Sequence, residues 1–448
     1  MPFGLFKKKE QKPQVFVLGL DGTPLTLLQT LMERGVMPHF AQLVKEGDLQ
    51  PSVSVVPFVS SVAWASFMTG CNPAKHGVFG FVDRNPRTLE IFLPNANSVK
   101  AKMLWEILSA HDKRSIVINV PTNYPPRNIK GWIVAGFDAP KLEKATHPAE
   151  LATKLRDMGY RLDIDAWKAR ESKDHLLEDL DITLHKQAQF ALECLDREPW
   201  DFFILHIMGT DRLHHFLFEE FETNHPAYAP AFMEYYRKVD GVIGEIVKRL
   251  DDNVTLFILS DHGFCTLKKE VSVNYYLQQQ GFLQMKDGGK SLADMLPTSK
   301  AYSLIPGRIY VNLRGRERDG SVSPGSEYEE VRQAVAESLR QLKDPDTGEP
   351  IVARVVRREE VYSGACFPQA PDLIALPHDG YDLKGNFNAA SLTEKGVMTG
   401  THTFDNAMLY VRGRQLRNDG LSVMDVAPAV LDLFDIAADG MDGRSCLK

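Results

Sequence analysis

Four near-continuous apolar runs organise the chain: Gln14-Val-Phe-Val-Leu-Gly-Leu, Ser115-Ile-Val-Ile-Asn-Val, Asp201-Phe-Phe-Ile-Leu-His-Ile-Met-Gly, and Val254 to Ser260. Runs of this length without polar alternation fit strands buried on both faces. Helical stretches separate them, which predicts an α/β fold: a mostly parallel central sheet with helices on both faces. After the first run Pro24 can open a helix and Gly35 can end it. Leu25, Leu28 and Met32 recur on one face of that helix, with Leu27 and Leu31 beside them, and this is its expected buried side. Ala407-Met-Leu-Tyr-Val predicts another strand, followed by a terminal helix around residues 423–434.

Two segments depart from this alternation. Residues at about 140–200 are charged and helical in pattern. Residues at about 265–355 carry Gly/Lys-rich turns, such as Lys286-Asp-Gly-Gly-Lys, and an amphipathic helix near residues 328–342. Both are expected as cap or insertion regions of one core domain over residues 14–448. Residues 1–13 are expected as a flexible tail. Phe3, Leu5, Phe6 and Lys7–Lys9 offer at most weak contact with an anionic membrane.

Composition narrows the class. The chain has 448 residues, 44% hydrophobic and 25% charged, which is ordinary for a globular protein. A net charge of -7 argues against general nucleic-acid binding. There is no run of about 18 apolar residues to span a membrane, and no h-region of a signal peptide follows the basic N-terminus. The five cysteines, at 71, 194, 265, 366 and 446, are odd in number and widely spaced. That fits free thiols in a reducing compartment, and a cytoplasmic location is expected. The oligomeric state is not readable.

The candidate chemistry lies where the apolar runs end. Asp21 follows the first, Asp211 the third, and Asp261-His262-Gly263 the fourth. Ligands of open parallel sheets bind beyond the carboxyl ends of the strands. Carboxylates from three strand ends would repel one another there without a cation, and mixed carboxylate and imidazole ligands suit zinc or manganese. On a helix, Asp211 and His215 share a face, with His214 as the rival ligand. Ser60 and Ser61 open a helix-compatible stretch, where a hydroxyl gains a field that favours phosphate, although an ordinary N-cap reads the same way. Cys71-Asn-Pro-Ala-Lys75 approaches the sulfatase pattern C-x-P-x-R, but ends in lysine. His402 lies in a polar loop, Gly400-Thr-His-Thr-Phe-Asp405.

These segments resemble the alkaline phosphatase superfamily, in its type I phosphodiesterase/nucleotide pyrophosphatase branch. The resemblance rests on Leu-Gly-Leu-Asp21-Gly, on Ser60-Ser-Val-Ala-Trp-Ala-Ser-Phe-Met-Thr-Gly with Asn-Pro-Ala-Lys-His-Gly, on Thr210-Asp211 with His215, on Ser-Asp261-His262-Gly and on Gly-Thr-His402. Asp425-Val-Ala-Pro-Ala-Val-Leu and Met441-Asp-Gly-Arg are similar to the family's closing signature, so it runs from about residue 14 to the C-terminus. It implies two divalent metal ions. Asp211, His215 and His402 would hold one; Asp21, Asp261 and His262 would hold the other, with Ser60 as its further ligand and the nucleophile. Ser60 is preferred to Ser61 because the family nucleophile stands ten residues before the Gly of Thr-Gly, here Gly70. His215 is preferred to His214 by the family spacing D-x-x-x-H. Many relatives have Thr where Ser60 stands. The family also places a phosphoryl-binding Asn where this chain has Phe81, with Asp83, Arg84 and Asn85 the nearest polar residues.

The expected activity is two-metal hydrolysis of a small phosphoester through a phosphoserine on Ser60, with zinc or manganese as the ions. A metal-dependent phosphomutase, a phosphonate hydrolase and a metal-binding scaffold without catalysis remain as alternatives.

Overall fold

The computed structural model describes residues 13–448, so the expected tail lies, but for Pro13, outside the described residues. The central sheet has eight strands, in the order Gly47–Ser52, Ala407–Arg412, Val254–Leu259, Gln14–Leu20, Phe202–Ile207, Ser115–Ile118, Gly131–Val134 and Thr146–His147. From Val254–Leu259 to Gly131–Val134 every neighbouring pair is parallel. The antiparallel pairs sit at the two margins. The four long apolar runs are thus the inner strands, as their lack of alternation requires.

Alternation reappears as a division between two cores. In Gln14–Leu20, Phe16, Leu18 and Leu20 enter one core, and Val15 and Val17 enter the other. The first core is covered by helices that include Leu25–Glu33, Pro38–Val44, Lys173–Arg197, Gly209–Glu222 and Tyr228–Val247. The second is covered by Ser60–Thr69, Leu104–Ala110 and Val426–Leu433. The Leu25–Glu33 helix differs from its sequence pattern by about one position. Leu27, Leu28 and Leu31 are buried, while Leu25 and Met32 only pack against the margin. Its apolar arc spans more residues than the sheet can cover, and Pro24, which enters from Asp21-Gly22-Thr23, sets which part faces inward.

Of the two segments set apart by sequence, residues 140–200 contribute their longest helix, Lys173–Arg197, to the layer on the first core, through Leu176, Leu180 and Leu184. The second segment contributes to a separate four-stranded antiparallel sheet, in the order Ala301–Leu304, Arg308–Val311, Leu373–Pro377 and Val352–Arg357, and this sheet runs past the expected end near 355, because the inner strand Leu373–Pro377 comes from beyond it. The amphipathic helix covers it as Ser326–Arg340, burying Val335, Ala336 and Leu339 in a core of its own. No helix among the described residues is long and apolar enough to cross a membrane.

The turned helix face gives a direct test. Replacing the fully buried Leu28 by Ala is expected to cost about 2–5 kcal/mol of stability. Replacing Leu25 is expected to cost less than about 1 kcal/mol, because it stays partly in water. Urea unfolding midpoints of the two variants would show the opposite ranking if Leu25 faced the core.

Candidate metal centre

Every candidate ligand sits at the carboxyl edge of the inner strands. Asp21 directly follows Gln14–Leu20, and Asp261 and His262 stand just beyond Val254–Leu259. Asp211 lies in the first turn of the Gly209–Glu222 helix, and His215 one turn later. His402 arrives differently. Its segment is a strand, Gly400–Thr403, paired antiparallel with Gly263–Thr266 so that His402 stands opposite Phe264. The sequence presents Gly400–Asp405 as a polar loop because a four-residue strand of Gly and Thr carries no apolar alternation. The pairing is what carries His402 to residues 211 and 215.

Two clusters result, Asp211 with His215 and His402, and Asp21 with Asp261 and His262. In the first, the Nδ1 of His215 is 3.1 Å from the Gly400 carbonyl, and the Nδ1 of His402 is 3.3 Å from that of Phe58. A ring nitrogen facing a carbonyl must carry the proton, which leaves both Nε2 atoms as bare lone pairs when the rings are neutral. Those two Nε2 atoms lie 3.1 Å apart, and each is within 3.4 Å of Asp211 Oδ1. Two imidazole lone pairs and a carboxylate oxygen facing one another repel unless a cation or a proton lies between them.

The second cluster is fully buried. The Nδ1 of His262 lies 3.0 Å from the Gly263 carbonyl, so its Nε2 is likewise bare. That Nε2 is 3.4 Å from Asp261 Oδ2 and 3.6 Å from Asp21 Oδ1. Asp261 Oδ1 accepts from the Gly22 amide, while its buried Oδ2 has no hydrogen-bond partner among the described residues. An unpaired carboxylate oxygen in such a place costs several kcal/mol. Burial, reinforced by Asp21, pushes the Asp261 carboxyl well above its ordinary range. Burial brings His262 down to about 3 and His215 down to about 4, so both rings are neutral at pH 7 and offer a lone pair. The donor set fits divalent cations, with mixed oxygen and nitrogen ligands as zinc or manganese takes them. The clusters adjoin: the rings of His262 and His402 stack with centroids 3.8 Å apart.

Ser60 and Ser61 separate here. The Ser60–Thr69 helix is capped by the backbone of Val59, so the Ser60 hydroxyl is not used as a cap. It donates to Asp21 Oδ1 at 3.1 Å and lies 3.2 Å from His262 Nε2. The Ser61 hydroxyl has no hydrogen-bond partner, and its carbonyl accepts from Thr122. His214 faces the other way. It bridges the Gly22 carbonyl and the Tyr236 hydroxyl, buried among aromatic rings. Cys71 and Lys75 follow the far end of the Ser60–Thr69 helix, where Cys71 bonds the Thr69 carbonyl and Lys75 pairs with Asp442. Asp83 and Arg84 form a short antiparallel ribbon with Ile91–Phe92, from which the Arg84 side chain binds Tyr302 of the second sheet and Glu317.

Two residues not singled out from the sequence hold the centre in place. Asp21 Oδ2 accepts from the Trp64 indole at 2.8 Å and from His206 Nε2 at 2.7 Å. Asp21 therefore has one oxygen fixed and turns Oδ1 toward Ser60 and His262. Burial is the largest influence and works against the Asp21 charge, but the hydrogen bond and electrostatic attraction of His206, with a smaller attraction from His262, together hold the carboxyl below its ordinary range. Gly19 makes this possible: a Cβ there would lie 2.5 Å from the Trp64 ring and 3.2 Å from that of His206. The signal in the sequence is His206 itself, the one imidazole within the apolar strand Phe202–Ile207.

A cleft of about 320 Å³ opens over Ser60, Asp211, His215 and His402. Phe58, Phe81, Phe137 and Met208 line one part of it, and Ile305, Ile374 and Leu383 from the second-sheet region line another. Phe81, 41% exposed, stacks on Phe137 with centroids 6.2 Å apart.

The family model described as type I phosphodiesterase / nucleotide pyrophosphatase matches residues 15–405. No curated protein matches the chain. Among solved structures, phosphonoacetate hydrolase from Sinorhizobium meliloti, in complex with phosphonoformate, is similar with a TM-score of 0.66 at 15% identity, over 94% of this chain and 96% of that one. The human ectonucleotide pyrophosphatase / phosphodiesterase 5 is similar with a TM-score of 0.59 at 15% identity, over 96% of this chain and 97% of that one. An inactive murine form of the latter, in complex with AMP, gives 0.59 at 14% identity over 96% and 97%. At these identities the likeness is one of fold.

The support of Asp21 predicts a metal-affinity effect. Trp64→Phe keeps the ring and removes the donor, and is expected to weaken metal binding by about 10–100-fold in chelator competition. An unchanged affinity would contradict the role given to the indole.

Proposed function

We propose, because the chain belongs to the type I phosphodiesterase / nucleotide pyrophosphatase family, that it hydrolyses small phosphoesters with two bound divalent metal ions and a covalent intermediate on Ser60. The family is one of phosphoester hydrolases. The observation that carries the finer reading is the Ser60 hydroxyl, placed 3.1 Å from Asp21 Oδ1 and 3.2 Å from His262 Nε2, at the floor of the cleft.

Asp211, His215 and His402 would hold one ion, and Asp21, Asp261 and His262 the other, with Ser60 as its further ligand. When bound, the ions would lower the pKa of the serine hydroxyl and offset charge on the phosphoryl oxygens. The chain's own residues do the rest. Trp64 and His206 fix Asp21, so the Ser60 proton is directed at Asp21 Oδ1 and the Oγ lone pairs face the cleft. Ser60 Oγ gives up its proton and bonds to phosphorus as the bond from phosphorus to the ester oxygen breaks, and the departing oxygen takes up a proton from water and leaves as the alcohol. Water then cleaves the bond between phosphorus and Ser60 Oγ. No separate histidine base is needed, and both His215 and His262 stay neutral with Nδ1 committed to carbonyls.

Loaded with zinc or manganese, the protein is expected to hydrolyse aryl phosphate esters, and Ser60→Ala to lose about 1,000-fold or more of the rate. Acid quench of a turning-over sample should leave a phosphoryl group on the peptide that contains Ser60, read by mass spectrometry. A wild type no faster than Ser60→Ala defeats the hydrolase. Full activity after chelation, with no metal found by elemental analysis, defeats the two ions.

A further inference from the structure

Beside the metal clusters stands a cation that neither the expected ligand sets nor the nucleophile accounts for. Arg212 follows Asp211 directly and lines the same cleft as Ser60. Its side chain is only 20% exposed. Asp163 grips one edge of the guanidinium, accepting from Nη2 at 2.7 Å and from Nε at 3.1 Å. Phe137 supports its face, with the Arg212 Cζ 5.0 Å from the ring centroid, and Phe81 also stacks on Phe137. Among the described residues the remaining edge makes one polar contact, a long 3.4 Å one from Nη1 to Asp211 Oδ2. A guanidinium has five N–H donors, and two of these bonds plus one long contact leave donors free on both terminal nitrogens. A buried arginine held flat by an acid and a ring, with its open edge at the cleft, is preorganised for a planar anionic partner.

We propose that Arg212 binds a non-bridging phosphoryl oxygen of the substrate, and that this site is built for a dianionic terminal phosphoryl group, as in a phosphomonoester, rather than for a diester. The inference rests on the phosphoester-hydrolase reading above. A monoester has three anionic oxygens on phosphorus besides the ester oxygen. In a diester one of the three carries a carbon group, which loses most of its charge and its strength as an acceptor. A fixed cationic donor beyond the two clusters therefore favours the monoester, and the gain grows in the transition state, where charge is spread over those oxygens. The other cations at the cleft are less suited. Lys384 is taken up by Asp382 and Glu270, and Arg170 is exposed on the short helix Ala166–Glu171. Asp163, Phe137 and Phe81 are positioning residues, acting through Arg212.

The test compares 4-nitrophenyl phosphate with bis(4-nitrophenyl) phosphate on the metal-loaded full chain, with inorganic phosphate as competitive inhibitor. Wild type is expected to favour the monoester in kcat/KM. Arg212→Met should lower monoester kcat/KM by about 100-fold or more but diester kcat/KM by less than about 10-fold, as for a lost oxyanion donor. It should also raise the inhibition constant of phosphate. Asp163→Asn keeps the arginine and frees its plane, so it should shift the monoester-to-diester ratio in the same direction by about 10-fold. A merely structural role would lower both esters together. Equal losses on both esters in the two variants, or a wild type that favours the diester with Arg212→Met leaving that preference unchanged, overturn the inference and leave the hydrolase standing. Hydrolysis of neither ester by wild type overturns both.

Discussion

The structure depends on how it holds a concentration of lone pairs gathered at one edge of its central sheet. Three carboxylates and three imidazoles meet at one edge of a parallel sheet, with each ring's Nδ1 committed to a backbone carbonyl and its Nε2 turned inward. Nothing among the described residues donates to Asp261 Oδ2. Such an arrangement is unfavourable for a bare chain and favourable around cations. Much of the local detail holds these lone pairs in place. Gly19 admits two rings that restrain Asp21, and a short strand pair carries His402 across to Asp211 and His215.

Much of this was legible in the sequence, for identifiable reasons. Inner strands of a parallel sheet are apolar on both sides, so Gln14–Leu20, Phe202–Ile207 and Val254–Leu259 stand out as unbroken runs, and the acids at their ends follow. The part that was hidden depends on partners distant in the chain. Gly400–Thr403 is a strand only because Gly263–Thr266 pairs with it. The helix Leu25–Glu33 has more apolar residues than its buried face can use, so periodicity alone left that face about one position off. Trp64 and His206 look like core residues, and are, but each also spends its one useful donor on Asp21.

The same reasoning changes the meaning of Phe81. By motif it stands where the resemblance implies an amide that binds phosphoryl oxygens. In the fold it stacks on Phe137, the same ring over which the Arg212 guanidinium lies. The neighbouring polar residues Asp83 and Arg84 do not compensate, since both are committed to the second sheet and its surroundings. On the reading proposed above, contact with the phosphoryl group would pass instead to Arg212, joined in sequence to the candidate ligand Asp211 and held by Asp163 from the 140–200 segment.

The pairing of Thr266 with Gly400 has one more consequence. The chain leaves the candidate metal centre at one of these residues and returns at the other, so everything between them, second sheet included, is joined covalently to the rest at two points a single strand spacing apart, with side contacts such as Arg84 to Glu317 and Cys366 to Ala74 holding it in place. A segment closed at its base in this way can be lengthened, shortened or exchanged at little entropic cost, and the ligands outside it keep their places. The second sheet is in that sense a cassette: one wall of the cleft, separable in evolution and in engineering from the chemistry at its floor.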